Sequence, residues 1–233
     1  MIHILKPGSL ISEDDPSIED YEVQYTRVLR HGGYKGEIRH YETEAKNELP
    51  SDVKPGDTIL IGGSKLNAWE DDEFTNGLVQ FVQNMLKVDG VKLIGLCYGH
   101  QLIARALGAN TGRAGFWELC SKKIKFTEEG REFFSEVDET HGLMQVHRDQ
   151  VFEVPEGATL LMSSDVCPVQ AYYRKGKYLC MQGHPEFTAE IVHSILLKLK
   201  MDDEELYTSA VKDLEIPHNG LEYSFALARF INE

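Results

Sequence analysis

A cysteine between two glycines is the residue of this 233-residue sequence best suited to nucleophilic chemistry. Cys97 follows the apolar run Val91 to Leu96, which is typical of a buried strand, and precedes an amphipathic segment that ends at Gly108. The G-L-C-Y-G pattern at residues 95–99 permits a sharp turn from strand to helix, because glycine has no Cβ atom to collide. We therefore predict a nucleophile elbow with the Cys97 sulfur at a helix N-terminus, where the dipole favours a thiolate. A buried structural cysteine is the alternative.

A histidine and a glutamate two residues apart could complete such a site. A cysteine nucleophile needs a base, and the base needs an acceptor that orients it. His184 follows the apolar run Tyr178 to Met181, and Pro185 favours an extended backbone before it. Residues two apart in an extended segment point the same way, so Glu186 can fix the imidazole tautomer. We predict a triad of Cys97, His184 and Glu186, and the alternative for the last two is a turn at a helix start.

Metal binding is a further alternative for the same part of the chain. His147 with Asp149, and His184 with Glu186, are pairs of plausible ligand types. Their spacing matches no zinc signature. We therefore predict that the protein needs neither a metal ion nor an organic cofactor.

Composition restricts the class of protein. The net charge of −14 and the sequence pI of about 5.1 argue against nucleic acid and anionic membrane surfaces as partners. No apolar run is long enough to span a membrane, and the first residues become polar too quickly for a signal peptide, so a cytoplasmic location is expected. The four cysteines form no C-x-x-C motif, and we expect free thiols, with structural roles for Cys120, Cys167 and Cys180.

The order of predicted elements is typical of an α/β protein. The first half alternates between strands at 2–5, 36–41, 58–61 and 91–96 and helices at 17–31, 72–88 and after the elbow, which implies a parallel sheet with helices on both faces. Later short runs are predicted as added antiparallel strands, at 118–126, 151–154, 159–162, 169–174 and 178–181. Helices are predicted at 188–200, 202–214 and 221–231. We predict a single domain over residues 1–233, with the helices of 202–233 part of it or appended to it.

The motifs together resemble the class I, or triad, glutamine amidotransferases. The resemblance rests on Gly95-Leu96-Cys97-Tyr98-Gly99-His100-Gln101, on Gly183-His184-Pro185-Glu186, and on their order and separation. A third segment, Val146 to Val151, is similar to the H-x-D stretch of the GMP-synthetase-like branch of that family. By motif, the resemblance covers roughly residues 55 to 200.

The resemblance implies a flavodoxin-like, three-layer sandwich and attack by Cys97 on a γ-glutamyl amide. On this basis His184 is the base and then the acid, and Glu186 orients it. An oxyanion hole is expected from the backbone N–H of Tyr98 and one N–H of the Gly62-Gly63-Ser64 loop, since glycine lets donors approach a developing oxyanion closely. Further residues of the same pocket are expected at Gln101, Gln145, His147 and Asp149.

Two departures from the family pattern concern the substrate. The oxyanion loop of the family is often glycine-glycine-proline, whereas this chain has Gly62-Gly63-Ser64. Gly183 stands where many amidotransferases have phenylalanine. Both features are closer to stand-alone members of the branch, including the plant γ-glutamyl peptidases. We predict an enzyme that opens the γ-amide of glutamine or of a γ-glutamyl compound through a γ-glutamyl thioester, and releases ammonia or an amine.

The alternative functions differ in what happens to that thioester and to the released nitrogen. The sequence has no G-x-x-x-x-G-K phosphate loop or other recognisable ATP-binding signature, so ammonia transfer would require a separate synthetase chain. Without such a partner the protein is a γ-glutamyl hydrolase or peptidase. A non-catalytic regulatory module of the same fold is a third alternative, against which the intact triad argues. A stress-type cysteine protein of a related superfamily is the last, and such proteins do not use a downstream His-Pro-Glu.

Overall fold

The computed structural model describes residues 1–8, 19–199 and 203–233. The strands are β1 (Ile2–Lys6), β2 (Ile38–Glu42), β3 (Thr58–Ile61), β4 (Lys92–Leu96), β5 (Thr111–Lys123), β6 (Lys125–Phe126), β7 (Gly142–Val151), β8 (Thr159–Ser163), β9 (Ala171–Arg174) and β10 (Tyr178–Met181). The helices are α1 (Tyr21–His31), α2 (Thr43–Lys46), α3 (Glu73–Leu86), α4 (Tyr98–Ala106), α5 (Glu128–Phe133), α6 (Ala189–Lys198), α7 (Glu204–Asp213) and α8 (Tyr223–Asn232), with a 3₁₀ turn at Gly220–Glu222 before α8. Parts of the helices predicted at 17–31, 188–200 and 202–214 lie outside the described residues.

Eight strands form one sheet, in the order β2-β1-β3-β4-β10-β9-β8-β6. The strands from β2 to β10 in this order are parallel, and β9, β8 and β6 continue the sheet antiparallel. This confirms the mostly parallel α/β sheet with added antiparallel strands. The prediction that β10 is one of the antiparallel additions is wrong, because β10 lies between β4 and β9 and runs parallel to β4. Its four residues are all buried, as is typical of an interior parallel strand.

The strands β5 and β7 pair only with each other among the described elements, as a long antiparallel ribbon. The prediction of a strand at 151–154 is wrong, because the strand in this region, β7, begins at Gly142 and ends at Val151. The sequence gives no hydrophobic signal for β7, because the centre of this strand is polar. Its residues Gln145, His147 and Asp149 are nevertheless all buried. A hydrophobic pattern does not predict a strand whose buried positions carry polar side chains.

Helices cover both faces of the sheet. One apolar cluster joins alternate strand residues to α1, α6 and α8, and a second joins the intervening strand residues to α3 and α4. On β3, for example, Leu60 belongs to the first cluster, whereas Ile59 and Ile61 belong to the second, as the two-residue period of a strand requires. Since α8 shares its cluster with β1, we propose that the chain forms a single domain. No described helix is long and apolar enough to span a membrane.

The connection between β4 and α4 is a tight turn with little space around its backbone. Cys97 has φ 50° and ψ −101°, a left-handed conformation that costs a non-glycine residue on the order of 1–3 kcal/mol. A Cβ atom on Gly95 would lie 2.6 Å from the carbonyl oxygen of Gly99, and one on Gly99 would lie 2.1 Å from that of Ile61. The two glycines therefore permit the turn for steric reasons, as the G-x-C-x-G pattern predicts.

Gly99→Ala is expected to lower the free energy of unfolding by about 2–4 kcal/mol, because the new methyl group meets the β3 backbone and no flexible side chain can move aside. Urea denaturation measures the change. Gly77→Ala is the matched control: Gly77 is exposed within α3, a Cβ there meets nothing within 4 Å, and alanine is expected to stabilise by about 0.5–1 kcal/mol. Equal stability of the Gly99 variant and the wild type would contradict the steric account of the turn.

Candidate active site

Cys97 lies where the parallel strand β4 ends, at the edge of the sheet where α/β proteins bind ligands. Its backbone N–H donates to the carbonyl of Met181, 2.9 Å away, and so holds the turn against the end of β10. The Gly99 N–H donates to the carbonyl of Gly62 at 3.2 Å, which holds the start of α4 against the loop after β3. Three neighbouring strand ends therefore converge on Cys97, which lines a cavity at this edge.

The structure brings Cys97, His184 and Glu186 together. The His184 Nδ1 atom lies 2.7 Å from Glu186 Oε1, and the ring and the Cys97 side chain both lie against Gly63, within 4 Å of where a Cβ atom on that residue would be. His184 and Glu186 are almost fully buried. The His184 N–H donates to the carbonyl of Met144 at 2.8 Å, which fixes this segment against β7. The arrangement is that of a nucleophile, a base and an orienting carboxylate.

The charge on His184 is set by its two partners. Burial alone would lower the pKa of the imidazole, but the Glu186 carboxylate and the Cys97 sulfur outweigh burial and raise the pKa of His184 to about 10. The ring is therefore an imidazolium at neutral pH, with a proton that it can give to a leaving group.

A stack of aromatic rings, which no sequence motif predicts, holds the His184 ring in place. Phe187 lies parallel to it, with ring centres 4.0 Å apart and an interplanar angle of 5°. Tyr21 continues the stack on Phe187, and Tyr25 continues it on Tyr21. The two tyrosines come from α1, more than 150 residues away in the chain. No local pattern signals this contact.

The Gly62-Gly63-Ser64 loop borders the site, but its two glycine N–H groups have acceptors within the protein. A Cβ atom on Gly63 would lie 3.0 Å from His184 Cε1 and 3.8 Å from Cys97 Cβ. The Gly62 N–H donates to the carbonyl of Leu5 at 3.1 Å, and the Gly63 N–H donates to Tyr25 Oη at 2.9 Å. An oxyanion hole made by this loop and by Tyr98, the first residue of α4, stays a prediction. It requires the Gly63 N–H to leave Tyr25 if that group is the loop donor.

Gln101, His147 and Asp149 line the cavity that contains Cys97. Gln101 Nε2 donates to the carbonyl of Asp149 at 2.8 Å and so connects α4 to β7. The Asp149 carboxylate accepts from Arg113 Nε at 2.7 Å and from Trp69 Nε1 at 2.9 Å. Gln145 is fully buried beside Gly183, so it packs behind the site. The roles of these residues toward a substrate stay predictions.

A second cluster of ligand-type side chains lies beside the cavity. Among the described residues, the ligating atoms of Glu118, His147 and Cys167 lie within 4.8 Å of one another. His147 therefore groups with these residues and not with the pair His184 and Glu186. The two Glu118 oxygens already accept hydrogen bonds, from Ser164 to one and from Gln170 to the other, and His147 Nε2 lies 2.8 Å from the second. Contacts within the protein therefore satisfy both oxygens of the Glu118 carboxylate, and no metal ion is needed to explain its burial.

The three other cysteines differ from Cys97 in their surroundings. Burial raises the pKa of the Cys120, Cys167 and Cys180 thiols to about 12, so these thiols stay protonated at neutral pH. All four cysteines are free, as the sequence predicts. The structural role expected for these three residues is consistent with their burial.

Further residues of the cavity were not among the predicted site residues: Lys65, Leu66, Asn67, Arg113, Trp117, Val146, Arg148, Ile195 and Leu199. Of these, Val146 and Arg148 lie in the segment similar to the H-x-D stretch. A weak signal exists for Arg148, which lies between the two residues of the H-x-D stretch, but its direction into the cavity follows only from the pairing of β5 and β7.

Glu186→Gln is expected to cost more stability at about pH 6.5 than at pH 10. Since the pKa of His184 in the folded protein lies above its ordinary value of 6.5, the charged ring contributes stability that is complete below about pH 6.5 and lost as the pH rises through about 10. The variant lacks the carboxylate that raises this pKa. Urea unfolding of both proteins across this pH window is expected to show a deficit that shrinks as the pH rises. A deficit that grows with pH would refute the role of Glu186.

Comparison with known proteins identifies the family of the chain. The family model "Glutamine amidotransferase class-I" matches residues 18–202. A glutamine amidotransferase-like protein of Schizosaccharomyces pombe is 30% identical, and the match covers 97% of this chain and 98% of that protein. Gamma-glutamyl peptidase 3 of Arabidopsis thaliana is 35% identical over 71% of this chain and 70% of its own length. The glutamine-hydrolyzing GMP synthase subunit of Methanocaldococcus jannaschii is 38% identical over 69% of this chain and 79% of its own length.

A solved structure shows the same fold at low identity. The crystal structure of a glutamine amidotransferase from Thermotoga maritima superimposes with a TM-score of 0.70 at 20% identity, covering 100% of this chain and 99% of that one. The resemblance inferred from the motifs is therefore confirmed over most of the sequence. This chain belongs to the class I glutamine amidotransferase family.

Proposed function

We propose that this protein hydrolyses γ-glutamyl amides through a covalent thioester on Cys97. The observation that carries the proposal is the buried His184, bound to Glu186 and beside Cys97 at the edge of a cavity. A cysteine next to a histidine that a carboxylate orients has the parts needed to attack a carbonyl carbon. A protein kept only for binding would not require this arrangement.

The proposed reaction has two steps. The Cys97 sulfur attacks the γ-carbonyl carbon, a C–S bond forms, and the C–N bond of the amide breaks as His184 gives its proton to the departing nitrogen. Water then attacks the γ-glutamyl thioester, His184 takes its proton, and the C–S bond breaks to release glutamate. Glu186 holds the imidazole in one tautomer and stabilises its charged form in both steps.

Two substrate classes fit this chemistry. Relatives named as a glutamine amidotransferase-like protein and as a GMP synthase subunit support glutamine, with ammonia passing to a separate synthetase chain. Relatives named as gamma-glutamyl peptidases support an amide whose leaving group is larger than ammonia. A cavity lined by apolar side chains next to Cys97 favours the second class, since ammonia has no apolar part to bind.

Trapping with a glutamine-analogue chloroketone tests the proposal directly. Because the electrophile needs both a nucleophilic sulfur and a γ-glutamyl pocket, labelling is expected at Cys97 alone and is expected to be blocked by excess glutamine. Intact mass and peptide mapping identify the site. Cys120, Cys167 and Cys180 serve as internal controls, since their buried, protonated thiols are expected to stay unlabelled. A folded protein that is not labelled at Cys97 would favour a non-catalytic module.

Cys97→Ser is expected to abolish turnover of γ-glutamyl compounds and to keep the fold, because a serine hydroxyl in this place lacks the nucleophilicity of a thiolate. Release of glutamate measures the activity, and circular dichroism checks the fold. Activity comparable to the wild type would exclude Cys97 as the nucleophile.

Chelation is expected to leave the activity unchanged, because the proposed mechanism uses only protein groups and protein contacts satisfy the Glu118 carboxylate. Turnover before and after dialysis against EDTA gives the comparison. Loss of activity that a divalent metal ion restores would instead assign a metal to the cluster of Glu118, His147 and Cys167.

A further inference from the structure

The cavity that contains Cys97 has an apolar wall, and the polar ends of a γ-glutamyl group would not bind to it. This wall consists of Trp117, Val146, Phe187, Ile195 and Leu199. A γ-glutamyl group ends in an amino and a carboxylate group, and ammonia is the only part of glutamine that leaves. Apolar surface stabilises a complex when it meets apolar surface of the ligand. The wall therefore fits a substituent on the leaving side of the amide bond.

An irregularity in the β5–β7 ribbon builds part of this wall. Arg113 pairs with Asp149 and Glu118 pairs with His147, so residues 114–117 of β5 stand opposite the single residue Arg148 of β7. A bulge of this kind redirects side chains next to a binding site. Here it brings Trp117 to the cavity, where its ring lies 6.0 Å from the Arg148 guanidinium carbon. Arg148 is thus held beside the apolar wall.

Arg148 has a positive charge that no described residue neutralises. No carboxylate in residues 1–8, 19–199 and 203–233 forms an ion pair with Arg148, and its buried Nε atom has no hydrogen-bond partner there. Arg113, the neighbouring arginine of the cavity, differs in that Asp149 binds it. In a chain with a net charge of −14, an unpaired guanidinium in a cavity is a suitable group to bind a carboxylate.

We propose that Arg148 and the apolar wall bind the leaving amine of the substrate, and that this amine is an amino acid with a large apolar side chain and a free carboxylate. The substrate class is then a γ-glutamyl dipeptide of an apolar amino acid. This inference rests on the proposed function, because it extends the same thioester reaction. Thioester formation releases the apolar amino acid, protonated by His184, and hydrolysis of the thioester then releases glutamate.

The test of Arg148 compares γ-glutamyl-phenylalanine with its C-terminal amide, in the wild type and in Arg148→Met. The ratio of kcat/KM for the acid to that for the amide is expected to fall about tenfold in the variant, which is about 1.4 kcal/mol and a modest value for a charge-assisted contact. Since the same two compounds are used with both proteins, their intrinsic reactivities cancel. Arg148→Lys is expected to retain part of the preference.

Arg131→Met is the matched control, since Arg131 lies on α5, is exposed and pairs with Glu139. Its ratio is expected to equal that of the wild type. If Arg148 instead binds the α-carboxylate of the glutamyl group, Arg148→Met lowers kcat/KM for glutamine, the dipeptide and its amide by the same factor. That result, or an unchanged ratio, overturns the assignment of Arg148.

The apolar wall is tested with γ-glutamylglycine. The wild type is expected to have a kcat/KM about tenfold or more higher for γ-glutamyl-phenylalanine, because its aromatic side chain is buried against the apolar wall and glycine has no side chain to bury. Equal values for the two dipeptides overturn the apolar subsite while the proposed hydrolysis stands. Absence of turnover with every γ-glutamyl compound, together with no labelling of Cys97, overturns the proposed function and this inference with it.

Discussion

The close approach of the α4 backbone to the end of β3 determines where the reactive sulfur lies. Gly99 allows its helix to begin against the carbonyl of Ile61, and Gly95 leaves room for the returning chain. Cys97 between them takes a left-handed conformation that places its sulfur at the cavity. The strain at Cys97 persists because the surrounding hydrogen bonds, to Met181 and to Gly62, come from two other strand ends. The sheet thus holds Cys97 in a conformation that a free chain would avoid.

A second feature of the molecule is the separation of charge between surface and site. The chain is strongly acidic, yet the groups around the cavity include a charged His184 and an Arg148 that forms no ion pair with any described residue. The polar strand β7 makes this possible, because it carries polar side chains into a buried region, where Asp149 and His147 have partners. Asp149 is bound by Arg113 and by Trp69, and His147 is bound by Glu118. Buried polar groups with satisfied partners fix a site more rigidly than apolar packing does.

Prediction from the sequence succeeded where a pattern is local. The elbow, the strand β3 and the pairing of His184 with Glu186 each depend on residues within a few positions of one another, and the physical reason is visible in the residue types. Prediction failed for β7 and for the direction of β10. The polar residues of β7 carry no hydrophobic signal, and the direction of β10 depends on its place between β4 and β9, which no local property encodes.

The sequence by itself determined the family and predicted the nucleophile and the base with its orienting carboxylate, because two short motifs in a fixed order carry them. The tertiary structure alone decided the surroundings of those groups. In the folded protein Tyr21 stacks on Phe187, and the Gly63 N–H donates a hydrogen bond to Tyr25. Arg148 lies opposite the bulge of β5 that contains Trp117. These contacts join residues far apart in the chain, and strand pairing and helix packing bring them together. The chemistry is therefore local in sequence, whereas the selectivity that we propose is a property of the fold.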